Sequence, residues 1–206
     1  TRLGAMRARA RLDAHLARDI CAIPDCLPVC LEAIDAILTL SRAEVGTARP
    51  ALCRLLYIQL VAALETYLCD AFMGMVMNHG PLLRRFVETH PAFAEESFRL
   101  CDVFTQHDAV RDKARVALYG FAWRNVERVR QLYRGVLGVC FPPEQADLLR
   151  AVRRRHDIQH RGRTGGLDGD ASDLTPGDVA DLAALVRGLA LHVDEELQAI
   201  SKRHAR

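Results

Sequence analysis

Apolar residues recur every three or four positions along almost the whole of this 206-residue chain. An α-helix gathers residues at that spacing onto one face, whereas a half-buried strand needs apolar and polar residues in alternation. We find no alternating run that demands a strand. Hydrophobic residues make up 50% of the chain and charged residues 26%, as is usual for a globular protein. The sequence therefore predicts an all-α fold.

Prolines, glycines and capping residues divide this pattern into predicted helices. Pro50 opens a long helix that is expected to reach Met77, and a proline pair at 142–143 precedes a helix from Glu144 to about His160. Thr175 before Pro176 is typical of an N-cap followed by the first helical residue. This last helix is expected to reach about residue 202. Further helices are predicted at 3–23, 31–45, 82–87, 93–104 and 108–137.

The chain is expected to form one domain over residues 1–206, a helical bundle of long antiparallel helices. Its core is expected to span about residues 50–202, with residues 1–45 as an N-terminal helical extension. The seven cysteines show no paired spacing, which favours a reducing, cytoplasmic setting over a disulfide framework. We expect no segment with the length of a membrane span and hence no membrane partner.

Positive charge is concentrated between residues 150 and 163, where six arginines face a single aspartate. Residues 168–196 carry the opposite balance, with eight acidic residues and one arginine. Such blocks are often only solvated surfaces of opposite sign. A local cluster of forked guanidinium groups is also suited to binding phosphate.

Two histidines lie within the basic cluster. His156 and His160 are four residues apart, so they share a face of a helix. Arg155 and His160 are five residues apart, which separates them by about 140° around the helix axis. They can therefore converge on one ligand only if the end of the helix frays or if a second copy of the chain contributes. Gly162 and the glycine-rich loop after it place the cluster at a helix C-terminus.

Three stretches together resemble the HEPN superfamily of helical nucleotide-binding domains and ribonucleases. Residues 155–160, Arg-His-Asp-Ile-Gln-His, fit its R-x4-H motif. Residues 63–68, Ala-Leu-Glu-Thr-Tyr-Leu, look like the "ALExYL" helix of single-domain HEPN nucleases. The run from His160 through Gly162 to Thr175 and Asp178 resembles the segment that follows the motif in those families.

The resemblance implies a homodimer whose two motifs face each other across a cleft and cleave RNA without a metal or other cofactor. The 2′-hydroxyl would attack the adjacent phosphorus and leave a 2′,3′-cyclic phosphate and a 5′-hydroxyl. His160 would act as general acid or base, Arg155 would stabilise the transition state, and His156 would assist. Glu65 would orient Arg155. The remaining predicted site residues are Asp157 in support and Arg153, Arg154 and Arg161 on the RNA phosphates.

A toxin or antiviral-defence effector is the setting that the resemblance implies, restrained by an inhibitory partner or a fused regulatory domain. HEPN toxins that are silenced by nucleotidylation carry a tyrosine where this chain has Gly162, so that control is not carried over.

Two alternatives stay open beside the ribonuclease. A noncatalytic HEPN-like module would use the same bundle for dimerisation or for binding RNA or a nucleotide. A zinc-dependent hydrolase would use His156 and His160, which form H-D-x-x-H, close to a known zinc-binding pattern. A catalytic zinc site needs a third protein ligand, and His107, His192 or a cysteine is the candidate. The surrounding arginines would repel a dication.

Overall fold

The computed structural model of the chain describes residues 26–95, 107–142, 145–161 and 174–204. Within these ranges all regular secondary structure is helical and there is no strand, which confirms the predicted all-α class. The described residues form seven α-helices and two short 3₁₀ turns. They are α1 (Cys26–Ser41), α2 (Arg49–Asn78), α3 (Gly80–Thr89), α4 (His107–Tyr119), α5 (Val126–Leu132), α6 (Gln145–Arg161) and α7 (Pro176–His204).

Helix α2 occupies the centre of the bundle and packs against α1, α3, α4, α6 and α7. Pro50 lies in its first turn, where the missing amide hydrogen costs no hydrogen bond. Buried side chains occupy most of its circumference, and Tyr67 and Phe72 are among the largest. The Phe72 ring contacts the rings of Phe86, Trp123 and Tyr133, which come from three other parts of the chain. This helix therefore fixes the positions of the others.

The two longest helices, α2 and α7, run parallel. Tyr57 lies beside Asp178 and Leu182 near the start of α7, and the Tyr67 hydroxyl donates to the carbonyl of Ala190 at 3.0 Å farther along. Helix α1 runs antiparallel to α2. The expectation of long antiparallel helices was therefore wrong for the longest pair. Nearly a hundred residues separate α2 from α7, so the chain can return to the end from which α2 began, whereas only short loops force neighbours to be antiparallel.

Helix α1 belongs to the main core rather than to an extension outside it. Its residues Cys30, Ile34 and Ile37 are at most 4% exposed and face α2 and α7. Their spacing of four and three residues is that of one helical face. The core therefore includes α1 and does not begin near residue 50 as expected. The predicted helices 3–23 and 93–104 and the loop 162–174 fall wholly or mostly outside the described residues.

The segment Gly46–Asn78 is long and apolar enough to cross a bilayer by length and composition alone. This differs from our expectation that no segment has the length of a membrane span. Within its most apolar stretch of 18 residues, 61% is buried inside the structure. Its apolar composition is thus explained by its place at the centre of the bundle, where other helices cover most of its surface.

The predicted single helix 108–137 is interrupted between Tyr119 and Val126. Gly120 ends α4, and the Trp123 indole N–H donates to the Leu118 carbonyl at 2.9 Å, which satisfies one of the last carbonyls of that helix. The Asn125 side chain then accepts from the Arg128 amide at 3.1 Å and caps α5. Helix α5 continues as a π-helical turn, Tyr133–Leu137, and ends at Gly138 with φ of 75°. Local capping therefore outweighed the helical periodicity.

The start of α7 is tied to α6 by a capping box and an ion pair. The Thr175 hydroxyl accepts from the Asp178 amide at 3.2 Å, and the Asp178 carboxylate accepts from the Thr175 amide at 2.9 Å. Arg154 of α6 donates to the other oxygen of the same carboxylate at 2.8 Å. The predicted N-cap is confirmed, and it also sets where α7 lies against α6.

Replacing Asp178 by Asn is expected to lower the free energy of unfolding by about 1 kcal/mol at pH 7. The Thr175 hydroxyl and amide, followed by Arg154, lower the pKa of Asp178 below its usual value. A lowered pKa in the folded state means that this stabilisation is present above the unfolded pKa of about 3.9 and is lost as the pH falls through the folded pKa. Urea unfolding of both proteins at pH 7, 5, 4 and 3 should show the gap shrink in acid.

The matched control for this measurement is Asp181→Asn, an exposed aspartate one turn later in α7. It is expected to change stability by less than about 0.5 kcal/mol. An equal gap between wild type and Asp178→Asn at pH 7 and pH 3 would contradict the assigned role of the carboxylate.

Candidate functional site

The basic motif lies in the last two turns of α6, whose inner face packs on the bundle. Leu148 and Ala151 are buried, and Ile158 contacts the core from one turn after Arg155. These positions, with Arg155 between them, recur at intervals of three and four residues and so share one face. Arg155 therefore belongs to the face of α6 that is turned toward the bundle.

Arg155 meets Glu65 of α2 at this interface. Its Nη2 atom lies 3.6 Å from Glu65 Oε2, and the two side chains are only 12% and 17% exposed. This distance is an ion-pair contact but is longer than a hydrogen bond. The structure thus brings together two of the predicted site residues that are ninety positions apart in the sequence.

Both members of this pair have unused hydrogen-bonding capacity. Glu65 Oε1 and Arg155 Nε are buried and have no hydrogen-bond partner among the described residues. Burial raises the pKa of the Glu65 carboxyl, an effect that Arg155 and then Arg124 partly oppose. Burial therefore outweighs the attraction of the two guanidinium groups. A titratable pair held at such a cost is more typical of a functional site than of a stabilising contact.

Arg124 is a residue near this site that the sequence did not indicate. It lies in the connection between α4 and α5, which we had predicted to be helical, and it is exposed. It is close enough to Glu65 to lower the pKa of that carboxyl. No motif in the sequence marks it, because its position depends on the break at Gly120.

Arg154 points away from Arg155 because consecutive helical residues are about 100° apart. Its guanidinium pairs with Asp178 at 2.8 Å and lies 5.7 Å from the centre of the Tyr57 ring. We expected Arg154 to bind RNA phosphate. The structure instead engages this guanidinium between α6 and α7, where it contributes to the fold.

The other motif residues lie on the outward side of α6. Arg153, His156 and Asp157 are exposed. His160 and Arg161 belong to the last turn of the helix, although their side chains lie outside the described part of the structure. Because α6 continues through Arg161, the helix does not end before His160. By helical geometry, His160 is about 140° around the axis from Arg155.

This arrangement separates the two residues of the proposed chemical pair. Arg155 belongs to the inward face and His160 to the outward face of one helix. A single α6 that stays helical to Arg161 places these two positions about 140° apart around its axis. The extent of α6 through Arg161 thus shows no fraying before His160, which was the first of the two routes that the sequence left open.

A zinc site receives no support from the described side chains. Among them, no three His, Cys, Asp or Glu residues are grouped as a metal would require. The ring of His192, a suggested third ligand, contacts the Cys140 carbonyl oxygen at 2.8 Å. Burial raises the pKa of the Cys30 thiol to about 11 and that of Cys69 to about 12, which makes the thiolate that a metal would bind more costly to form at these positions.

Comparison of the chain with protein-family models, characterised proteins and solved structures finds no match. The resemblance to HEPN proteins therefore depends on the sequence motifs alone. Any function has to be argued from the geometry of the site rather than from the fold.

Replacing Glu65 by Gln tests whether this carboxylate is held at a cost to stability. The raised pKa of Glu65 means that its contribution to stability is fully present below the unfolded pKa of about 4.3 and is lost as the pH rises through the folded pKa. Wild type should therefore lose stability relative to Glu65→Gln between pH 4 and pH 8. Denaturant unfolding of both proteins across that range measures the difference.

Glu88→Gln is the matched control, because Glu88 is exposed and pairs with Arg84 at the surface of α3. Its stability relative to wild type should change little over the same range. If wild type instead gains stability over Glu65→Gln as the pH rises, the pairing with Arg155 outweighs burial and our assignment is wrong.

Proposed function

We propose that the chain is a metal-independent endoribonuclease of the HEPN type that acts as a homodimer. The observation that carries the proposal is the contact of Arg155 with Glu65 at the interface of α2 and α6. It holds one guanidinium of the basic cluster in a fixed place and leaves its Nε without a partner among the described residues. A fixed cation that retains donor capacity is what a phosphate in a charged transition state needs.

The proposed reaction is an internal transfer at phosphorus. The 2′-oxygen of a ribose forms a bond to the adjacent phosphorus while a base removes its proton. The bond from phosphorus to the 5′-oxygen of the next nucleotide breaks, and an acid protonates that oxygen. The products are a 2′,3′-cyclic phosphate and a 5′-hydroxyl. No metal or redox cofactor is needed for this balance.

His160 is the proposed acid or base, and Arg155 stabilises the extra negative charge on the phosphoryl oxygens. An unperturbed imidazole, with a pKa of about 6.5, suits either proton transfer near neutral pH. His156 assists from the same outward side of α6. Among the other arginines of the motif, Arg153 is exposed and is the proposed contact to the RNA backbone.

A second copy of the chain completes the proposed site. The separation of Arg155 and His160 around α6 is compatible with one phosphate if Arg155 comes from one protomer and His160 from its partner. Such an arrangement repeats twice about a two-fold axis. The HEPN resemblance implies the same pairing of motifs across a cleft. A toxin or defence effector in the cytoplasm, restrained by an inhibitor, remains the setting that we propose from the resemblance.

The noncatalytic module is the second candidate, and one observation favours it. Arg155 is only 12% exposed and already has a carboxylate beside it. A guanidinium in that environment also fits a role in joining α6 to α2. In that case the exposed part of the basic cluster would bind RNA or a nucleotide without cleaving it.

RNA cleavage by the purified chain in excess EDTA tests the proposal. Wild type should cleave and leave 2′,3′-cyclic phosphate ends. His160→Ala and Arg155→Ala should each reduce the rate by about a hundredfold or more, because each removes a group that acts in the transition state. A phosphatase that acts only on an open terminal phosphate identifies the product ends. It should leave the 2′,3′-cyclic phosphate in place.

Arg150→Ala is the matched control for Arg155→Ala. Arg150 lies on the same helix, is exposed and pairs only with Asp147 at the surface among the described contacts, so its loss should leave the rate unchanged. Cleavage abolished by EDTA would favour a metal site. Cleavage that survives both motif substitutions would place the site elsewhere, and RNA binding without cleavage would select the noncatalytic module.

A further inference from the structure

A cleft apart from the candidate site lies on the part of the bundle formed by α3, α4, α5 and the π-helical turn. Its volume is about 620 Å³, within the range of about 300–1,000 Å³ that is typical of small-molecule sites. The described residues that line it include none from α2 or α6. It is therefore separate from the candidate site at Glu65 and Arg155.

The described walls of this cleft combine a cation with aromatic surfaces. Arg128 and Gln131 of α5 supply a guanidinium and an amide, and His90 and Phe121 supply two rings. The His90 Nδ1 atom accepts from the Ala92 amide at 3.3 Å, so the neutral ring carries its hydrogen on Nε2. Burial lowers the pKa of His90, which favours the uncharged imidazole. Arg128 is then the charged group among the described residues of the lining.

The cleft is open because small residues and an unusual turn form one of its walls. Gly135 lies in the π-helical turn Tyr133–Leu137, and a Cβ atom added to it would meet no atom within 4 Å. Gly120 and Ala122 also line the cleft. Turns of the π type carry wider rings than α-helix and are frequent at functional sites. Space is thus left beside the cation and the two rings.

We propose that this cleft binds a small ligand that carries a planar ring and an oxyanion. The ring packs against Phe121 and His90, and Arg128 pairs with the carboxylate or phosphate. Gln131 adds a polar contact that orients the ligand. Mononucleotides and aromatic carboxylic acids share this chemistry and are distinguished by experiment.

Trp123 provides the readout, because it is the single tryptophan of the chain and its ring centre lies 5.1 Å from that of Phe121. Its fluorescence is measured while the full chain is titrated separately with AMP, benzoate, adenosine and inorganic phosphate. AMP or benzoate should give a saturable change and thereby identify the ligand type. Adenosine lacks the anion and phosphate lacks the ring. Each should therefore bind at least about tenfold more weakly than the ligand that carries both groups.

Two substitutions test the assigned contacts. Arg128→Gln should weaken binding about tenfold or more, since it removes a charged partner of the anion. Gly135→Leu should abolish binding by filling the cleft, and circular dichroism checks that it remains folded. Arg134→Gln is the matched control, because Arg134 is an exposed arginine of the same helical run that is not among the described residues lining the cleft.

Arg155→Ala should bind as wild type, which separates this cleft from the proposed ribonuclease site. The proposal is overturned if neither AMP nor benzoate gives a saturable change, or if adenosine or phosphate binds as well as they do. It is equally overturned if Arg128→Gln binds as wild type, or if Arg155→Ala abolishes the response. None of these results depends on whether the chain cleaves RNA.

Discussion

The contact between Glu65 and Arg155 joins the basic helix α6 to the central helix α2 through opposite charges, and the candidate site depends on it. It places opposite charges inside an interface that is otherwise formed largely by apolar residues of α2 and α6. Burial of a carboxylate is costly unless its partner is close and its remaining oxygen is satisfied. Here the partner is 3.6 Å away and Glu65 Oε1 has no hydrogen bond among the described residues. The contact is a better candidate for positioning a functional guanidinium than for stabilising the fold.

The three consecutive arginines of α6 are assigned different environments by helical geometry alone. Arg155 faces Glu65 on α2, Arg154 faces Asp178 on α7, and Arg153 is exposed. Steps of about 100° around the helix produce this division. A run of like charges that reads as one patch in the sequence therefore becomes two intrachain ion pairs and one surface cation. The same geometry turns His156 and the position of His160 outward, toward any partner that approaches α6.

Local features of the fold were predictable from the sequence. Pro50 and the pair Thr175 and Pro176 marked helix starts because their effects act within one turn. The long-range features were not predictable. The parallel course of α2 and α7, the inclusion of α1 in the core and the ion pair of Arg154 depend on packing between distant segments. The break after Gly120 was missed because the Trp123 indole and the Asn125 side chain supply caps that a periodic apolar pattern does not reveal.

For the site, the sequence indicated which residue types belong together but not where their partners lie. Glu65 and Arg155 were associated through motif resemblance, and the structure places their side chains in contact. Arg124 could not have been found in the sequence, because it reaches the vicinity of Glu65 only through the turn between α4 and α5. The five-residue spacing also predicted that Arg155 and His160 lie about 140° apart around α6. Because the helix extends through Arg161, any mechanism has to account for this angular separation.

Complementation between two inactive variants tests the composite site most directly. Chains with Arg155→Ala and chains with His160→Ala, carrying different affinity tags, are coexpressed, and the mixed dimers are isolated and assayed for RNA cleavage in EDTA. Our account predicts that the mixed dimer cleaves RNA, because one of its two sites combines the intact Arg155 of one chain with the intact His160 of the other. A mixed dimer as inactive as either variant alone would contradict it.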